Sequence, residues 1–214
     1  MFGLARLLAA VSLALSLSAC ATVYTDQNFA EYQAQHKEVA VIPFAVTIDQ
    51  KNLPKDTDLD VLATQEREEG FRFQQQLYTQ FLNRMQKGEY TVDFQPVDKT
   101  NVLLQRAGIE YDDLTRYTMA EIGQVLGVDS VISGTIKRSK PMGTGAAVAS
   151  TFLVGIGVTN NVNVNMSLHD SETGRLLWTY DHQQAGGLGS SPERLAKNLT
   201  KNSASKFPYK AEPK

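Results

Sequence analysis

The chain has 214 residues, with 21 Lys and Arg against 23 Asp and Glu and a formal charge of −2. That length allows one domain with a substantial core. The near-neutral, slightly acidic balance excludes the basic face of a nucleic-acid binder, and a single cysteine, Cys20, excludes an internal disulfide.

The chain opens on one charge, Arg6, and an uncharged run from Leu7 to Leu17 that closes on Leu17-Ser18-Ala19-Cys20. The apolar run is about half of the roughly 20 residues that span a bilayer as a helix, so residues 1–19 read as a removed secretory signal. A cysteine directly after small residues resembles the lipobox of bacterial lipoproteins. The resemblance implies cleavage between Ala19 and Cys20, and a diacylglyceryl thioether plus an N-acyl chain of the palmitate type on Cys20. Each buried methylene contributes about 0.8 kcal/mol, so several chains anchor stably where one would not. Ala21, in place of an aspartate after the cysteine, points to the outer membrane, with the domain facing the periplasm. Loss of Arg6 leaves the mature chain at −3.

Residues 20–37 are polar without a clear period and read as a lipidated tether, with a short helix possible in Asn28–His36. Glu38–Val46 (EVAVIPFAV) is a near-continuous apolar run expected as the first core strand, with Pro43 at an edge or bulge position. A loop containing Pro54 follows. Phe73, Leu77, Phe81 and Met85 then recur every four residues, with Leu82 beside them, and predict a helix from about Leu62 to Gln86, stopped at Gly88. Such a stripe is a core signature before it is a ligand pocket. Tyr90, Val92 and Phe94 alternate in a second strand over Tyr90–Val97. Asp98 is expected to cap a short helix through Ala107. Asp112, Asp113 and Thr115 mark a connection, and Thr118-Met119-Ala120-Glu121 is a capping box whose helix ends at Gly127. Val128–Lys137 is the third strand.

Val162–His169 alternates strictly, with Val162, Val164, Met166 and Leu168 on one face and asparagine, serine and His169 on the other. Arg175–His182 returns through a hairpin loop at Asp170–Gly174. Pairing Leu168 with Leu176 brings the apolar faces together, whereas a one-residue slip would oppose them. After a glycine-rich joint, a last helix starts at Ser190–Glu193 and leads to Phe207-Pro208-Tyr209 as a terminal packing segment. The fold class is therefore α/β, a mixed sheet with helices packed against it, in one domain over about 38–210.

Three short motifs, Ala40-Val41-Ile42-Pro43-Phe44, Gly127–Ile136 and Asp170–Trp178, occur in this order of elements. Together they resemble the CsgG-like lipoproteins, which include the curli secretion channel and the lipoprotein activator of penicillin-binding proteins, and whose fold is similar to the N-terminal domain of the Tol system's periplasmic protein. The resemblance implies a periplasmic α/β domain that self-associates or binds an envelope partner, with no catalytic residue to carry over. The curli channel has two membrane-inserting hairpins. Here only the region between the third strand and the alternating strand has room for one.

That region is unusual. No charge occurs from Pro141 to Leu168, and an apolar glycine-rich insertion spans about 141–161. As a strand, Gly143–Val158 places Val148, Phe152, Val154, Ile156 and Val158 on one side, a candidate membrane-contact or self-association face. As a helix, it aligns Gly143, Ala147, Thr151 and Gly155 for close contact. The bland alternative is a loop packed on its own domain.

Catalytic and metal signatures are absent. Gly143-x-Gly145 lacks the lysine of a phosphate loop, and no Gly-x-Ser-x-Gly elbow occurs. His169 and His182 fall at opposite ends of the expected ladder, roughly 20 Å apart at about 3.3 Å per residue, too far to share a metal. Each reads as a solvated strand histidine, and Asp112–Asp113 reads as loop and cap. The sequence thus predicts a non-enzymatic, lipid-anchored assembly or interaction module of the cell envelope, without a cofactor beyond the lipid on Cys20. Its expected partners are the membrane, an unidentified envelope protein and a possible homo-oligomer. The alternative is a subunit of an outer-membrane secretion or transport ring.

Overall fold

A computed structural model describes residues 21–49, 58–139, 161–185 and 192–211. The strands are β1 (Thr22–Thr25), β2 (Glu38–Val41), β3 (Ala45–Ile48), β4 (Asp93–Phe94), β5 (Ser130–Ser139), β6 (Asn161–Asp170) and β7 (Leu176–Ala185). The helices are α1 (Phe29–Gln35), α2 (Leu59–Met85), α3 (Val97–Arg106), α4 (Met119–Leu126) and α5 (Pro192–Lys206), with a 3₁₀ segment at Tyr111–Arg116. The seven strands form one mixed sheet in the order β1-β7-β6-β5-β2-β4, and β3 continues the line of β2 along β5. The α/β expectation holds.

Pro43 explains why the first apolar run is two strands. Val41 pairs with Ile132 and Ala45 with Thr135, both parallel to β5. Three residues, Ile42, Pro43 and Phe44, therefore oppose Ser133 and Gly134. This is a bulge at the residue that has no amide to give the ladder. The bulge turns Phe44 onto the sheet. A Cβ at Gly134 would sit 2.2 Å from the Phe44 ring and 2.5 Å from the Asn165 carbonyl oxygen.

Helices cover the sheet unequally. On one face Phe73, Leu77 and Phe81 of α2 and Leu199 of α5 bury β2, β5, β6 and β7 through Ile132, Val164, Met166, Leu168 and Trp178. Phe207 and Tyr209 close this core, as the sequence predicts. The opposite face has a smaller core under α3, α4 and the 3₁₀ segment, made by Ala40, Ile42, Leu104, Ile122, Leu126 and Val131. Its apolar residues come from β2 and β5 on the sheet side, and α4 also meets the end of β6 at the β6–β7 turn.

Several expectations need correction. The polar tether is in fact part of the domain: β1 pairs antiparallel with β7, and α1 buries Phe29. Four outward-facing residues on an edge leave no apolar pattern to read. The strand expected over Tyr90–Val97 shortens to Asp93–Phe94, because Tyr90 instead bridges Lys210 and Val97 already starts α3. Tyr90, Val92 and Phe94 nonetheless all face the core. Asp98 is not the cap of α3. Pro96 holds that position, and Asp98 lies in the first turn, where a carboxylate suits the helix dipole. The capping box at Thr118 and Glu121 forms as expected, and Gly127 takes φ +64° after it.

Candidate functional site

The β6–β7 register sets up the surfaces. Leu168 opposes Trp178, Met166 opposes Tyr180 and Val164 opposes His182, not Leu168 opposite Leu176, and a bulge lies between Leu168 and His169. The shift is two residues, so the apolar faces still coincide. The bulge turns Leu177 into the core and leaves Leu176 36% exposed.

One end of the sheet gathers the chain crossings. Ser139 pairs with Asn161 and Asn161 with Ala185, so β5, β6 and β7 all have a terminus there. Because Thr22 pairs with Asp181 and Thr25 with Trp178, the chain enters β1 from the same end. β3 leaves by it too, with Ile48 beside Arg138. α2 starts beyond it. The Ile48 amide donates to Glu66, seven residues after Leu59, so Leu59 lies about 10 Å farther out at 1.5 Å per residue. Leu59 is 59% exposed and Val61 42%.

The rest of the sheet face that carries α3 and α4, away from their core, presents polar rows. Lys137, Asn163 and Gln183 form one cross-strand row. Thr135, Asn165, Asp181 and Thr22 form the next, and Ser133, Ser167, Thr179 and Tyr24 the third. Tyr24 is the single aromatic side chain in these rows and is exposed. Beyond Thr22–Thr25 no described strand pairs with β1, so its outer edge is open among the described residues.

The opposite end carries a buried polar network. His36 Nδ1 lies 2.5 Å from the Tyr209 hydroxyl, and His36 Nε2 3.2 Å from Asp170 Oδ1. The Tyr209 hydroxyl is 3.2 Å from Ser130 Oγ. The other Asp170 oxygen accepts from the Thr173 amide at 2.7 Å and from its hydroxyl. Burial pushes the Tyr209 phenol up, with the Ser130 contact opposing. Nearby, Arg175 Nε and Nη2 reach Asp26 Oδ2 at 3.0 and 2.9 Å. The Asn28 amide, more than Arg175, holds the Asp26 carboxyl below its usual range. A histidine, a carboxylate and two hydroxyls in hydrogen-bonding reach could in principle move protons. Ser130 and Tyr209 are fully buried, however, so no substrate atom can approach them.

His169 closes the ladder opposite Leu176, but His182 lies three pairs in from the other end, opposite Val164. The solvated reading fails for His182. It is buried beside Tyr180, with ring centroids 5.9 Å apart, and burial pushes its pKa down. His169 is partly buried, and its pKa is lowered by the same cause. Asp112 and Asp113 each pair with an arginine, Arg67 and Arg116. Among the described residues no group of three His, Cys, Asp or Glu could hold a metal, and no helix is long and apolar enough to cross a membrane. Ala19, Cys20, Val148, Phe152, Val154, Ile156 and Val158 lie outside the described residues. The network of His36, Asp170 and Tyr209 escaped sequence reading because its members are 134 or 39 positions apart and form no local motif.

No protein-family model and no curated protein matches the chain. Solved structures give distant likenesses. A PelC dodecamer from Paraburkholderia phytofirmans aligns over 91% of this chain and 100% of its own at 16% identity, TM-score 0.46. Lipoprotein GNA1162 from Neisseria meningitidis covers 79% and 94% at 17% identity, TM-score 0.41. The LpoB C-terminal domain from Salmonella enterica covers 70% and 83% at 12% identity, TM-score 0.36. At these values the likeness is one of chain path and assigns no role to any residue.

Proposed function

We propose that the protein is a lipid-anchored envelope lipoprotein, acylated on Cys20 after cleavage behind Ala19. Its α/β domain would act as a non-catalytic assembly or interaction module at the periplasmic side of the outer membrane. The observation that carries this reading is the shared end of the sheet. Cys20 is two residues before β1, and the chain enters β1 at the end where β5 stops and β6 starts. An acyl anchor and the uncharged stretch between those two strands would therefore meet the bilayer on one side of the domain. The exposed Leu59 and Val61 project past the same end. Val148, Phe152, Val154, Ile156 and Val158 are the proposed membrane-contact or self-association residues. The polar rows of β5, β6, β7 and β1, open among the described residues, would face an envelope partner. The sealed position of the His36–Tyr209–Ser130 network argues against its being an active centre.

The open edge of β1 favours a second reading, an oligomeric secretion or transport ring. β1 carries no charge to repel an incoming strand, so a neighbouring copy could extend the sheet there. Globomycin treatment and fractionation of a Cys20→Ser variant test the anchor. Precursor should accumulate with globomycin, and the variant should leave the membrane on a salt wash. An unchanged precursor, or a variant still bound, would overturn the anchor. Light scattering of the acylated protein in mild detergent separates a module from a ring.

A further inference from the structure

Residues Thr22–Lys37 join the anchor position to the domain, and few of them are buried. Of these sixteen residues only Asp26, Phe29 and His36 are buried. Phe29 is the single buried apolar side chain, packed on Tyr209 with ring centroids 4.9 Å apart. The other two are ionisable, and both are gripped by one turn, the β6–β7 connection. Asp26 pairs with Arg175, just after that turn, and His36 with Asp170, at its start. The other attachments include the His36 Nδ1 contact with the Tyr209 hydroxyl at 2.5 Å, the partly buried Tyr32 against the core, the four-residue β1–β7 ladder, the Asp26 amide on the Leu177 carbonyl at 2.8 Å, Gln33 on the Lys210 carbonyl at 2.8 Å, the Lys37 amide on Asp129 at 2.6 Å and the Asp93 amide on the Lys37 carbonyl at 2.8 Å. All four residues of β1 are exposed. By contrast β5 and β6 are interior strands with fully buried Ile132, Met166 and Leu168. Local opening follows such differences in burial and pairing.

We propose that Thr22–Lys37 is a releasable strap, docked on the β7 edge by clasps at the β6–β7 turn and able to detach while the rest of the domain stays folded. Docked, it leaves Ala21 as the one residue between Cys20 and the sheet, so the domain sits against whatever surface holds Cys20. Released, sixteen residues at about 3.3 Å each span up to roughly 50 Å, longer than the docked path across the sheet. The strap therefore sets two working heights, and the turn that carries Asp170 and Arg175 is where a partner would select between them. The gain in height rests on the acylation proposed above. The release itself does not.

Amide hydrogen exchange, followed by mass spectrometry on the full-length acylated protein in detergent micelles, tests this. Amides of 22–37 should exchange at least about 100-fold faster than those of 130–138 and 162–169. In Arg175→Gln or His36→Gln protein, strap exchange should rise by a further tenfold or so, while β5 and β6 stay unchanged. Exchange of the strap and β5–β6 as one unit in the unaltered protein would overturn the proposal, and so would variants that accelerate both equally. Because the unaltered protein decides the first comparison, a variant that fails to fold does not rescue the idea. The mass of the N-terminal peptide from the same digest reports acylation separately, so a missing lipid is not mistaken for a rigid strap.

Discussion

Replacing Phe207 by alanine tests whether the C-terminal segment truly closes the larger core. The ring is fully buried, and it lies 4.7 Å from Phe81, 5.4 Å from Tyr209 and 5.8 Å from Trp178 between centroids. It thus joins α2, β7 and the chain after α5 at one point. Truncating a buried phenylalanine removes its transfer free energy and leaves a cavity, together about 3–5 kcal/mol. Rigid neighbours on three elements limit collapse of that cavity, which places the expected loss in the upper half of the range. The assay is built in. Trp178 is the only tryptophan and meets Phe207 nearly edge-on, at 88°. Urea unfolding followed by its fluorescence should show the midpoint fall by roughly 2–2.5 M for a slope of about 2 kcal/mol per molar. A loss below about 1 kcal/mol would show that Phe207 is not packed between those elements, and would refute the closure of the core by the terminal segment.

Gly134→Ala should cost at least about 2 kcal/mol, because the new methyl meets the Asn165 carbonyl as well as the Phe44 ring and the backbone cannot step aside; an unchanged urea midpoint would contradict the bulge packing. Thr118→Ala should lower stability by about 0.5–2 kcal/mol through the lost capping box, with the unfolding slope unchanged. Acid should destabilise the domain in two windows. As pH falls through about 6.5, the unfolded chain takes up protons that His182, its pKa lowered by burial, refuses in the fold, so stability drops until the folded pKa is passed. His182→Phe should reduce that slope and leave the share of His169, whose pKa burial also lowers, and an identical slope in the variant would refute the assignment. Asp26 acts lower down. Its carboxyl is held below the usual range chiefly by the Asn28 amide, so its contribution is complete above about pH 4 and lost as pH falls through the folded value, which stability measured between pH 5 and 2 in Asp26→Asn protein would reveal.

What the sequence made legible is what repeats over a few residues. The Phe73–Leu77–Phe81 stripe, the capping box at Thr118, the glycine at 127 and the alternation of β6 each depend on neighbours within one turn or one pleat. The hairpin shows the limit of that logic. Parity predicts which face is apolar, but the register moved by two residues because the bulge lets Leu177 enter the core. β1 was invisible because its partner strand lies about 155 positions away and none of its side chains is buried. The clasp residues Asp26, His36, Asp170 and Arg175 are ordinary polar residues in sequence. Only the folding back of the N-terminal segment onto the β6–β7 turn brings them together.

The central claim is that one end of the sheet faces the membrane. Cys20 is the only cysteine and would be acylated, so a cysteine introduced elsewhere is a unique thiol for a fluorophore. Gln183 is exposed toward the end where β1 begins, and Glu172 is exposed at the β6–β7 turn. The two are separated by roughly 23 Å of ladder at about 3.3 Å per residue. In vesicles carrying headgroup-attached quenchers, a label at Gln183→Cys in the acylated protein should be quenched several-fold more than one at Glu172→Cys. Equal quenching, or stronger quenching at position 172, would contradict the orientation and with it the proposed role of that end.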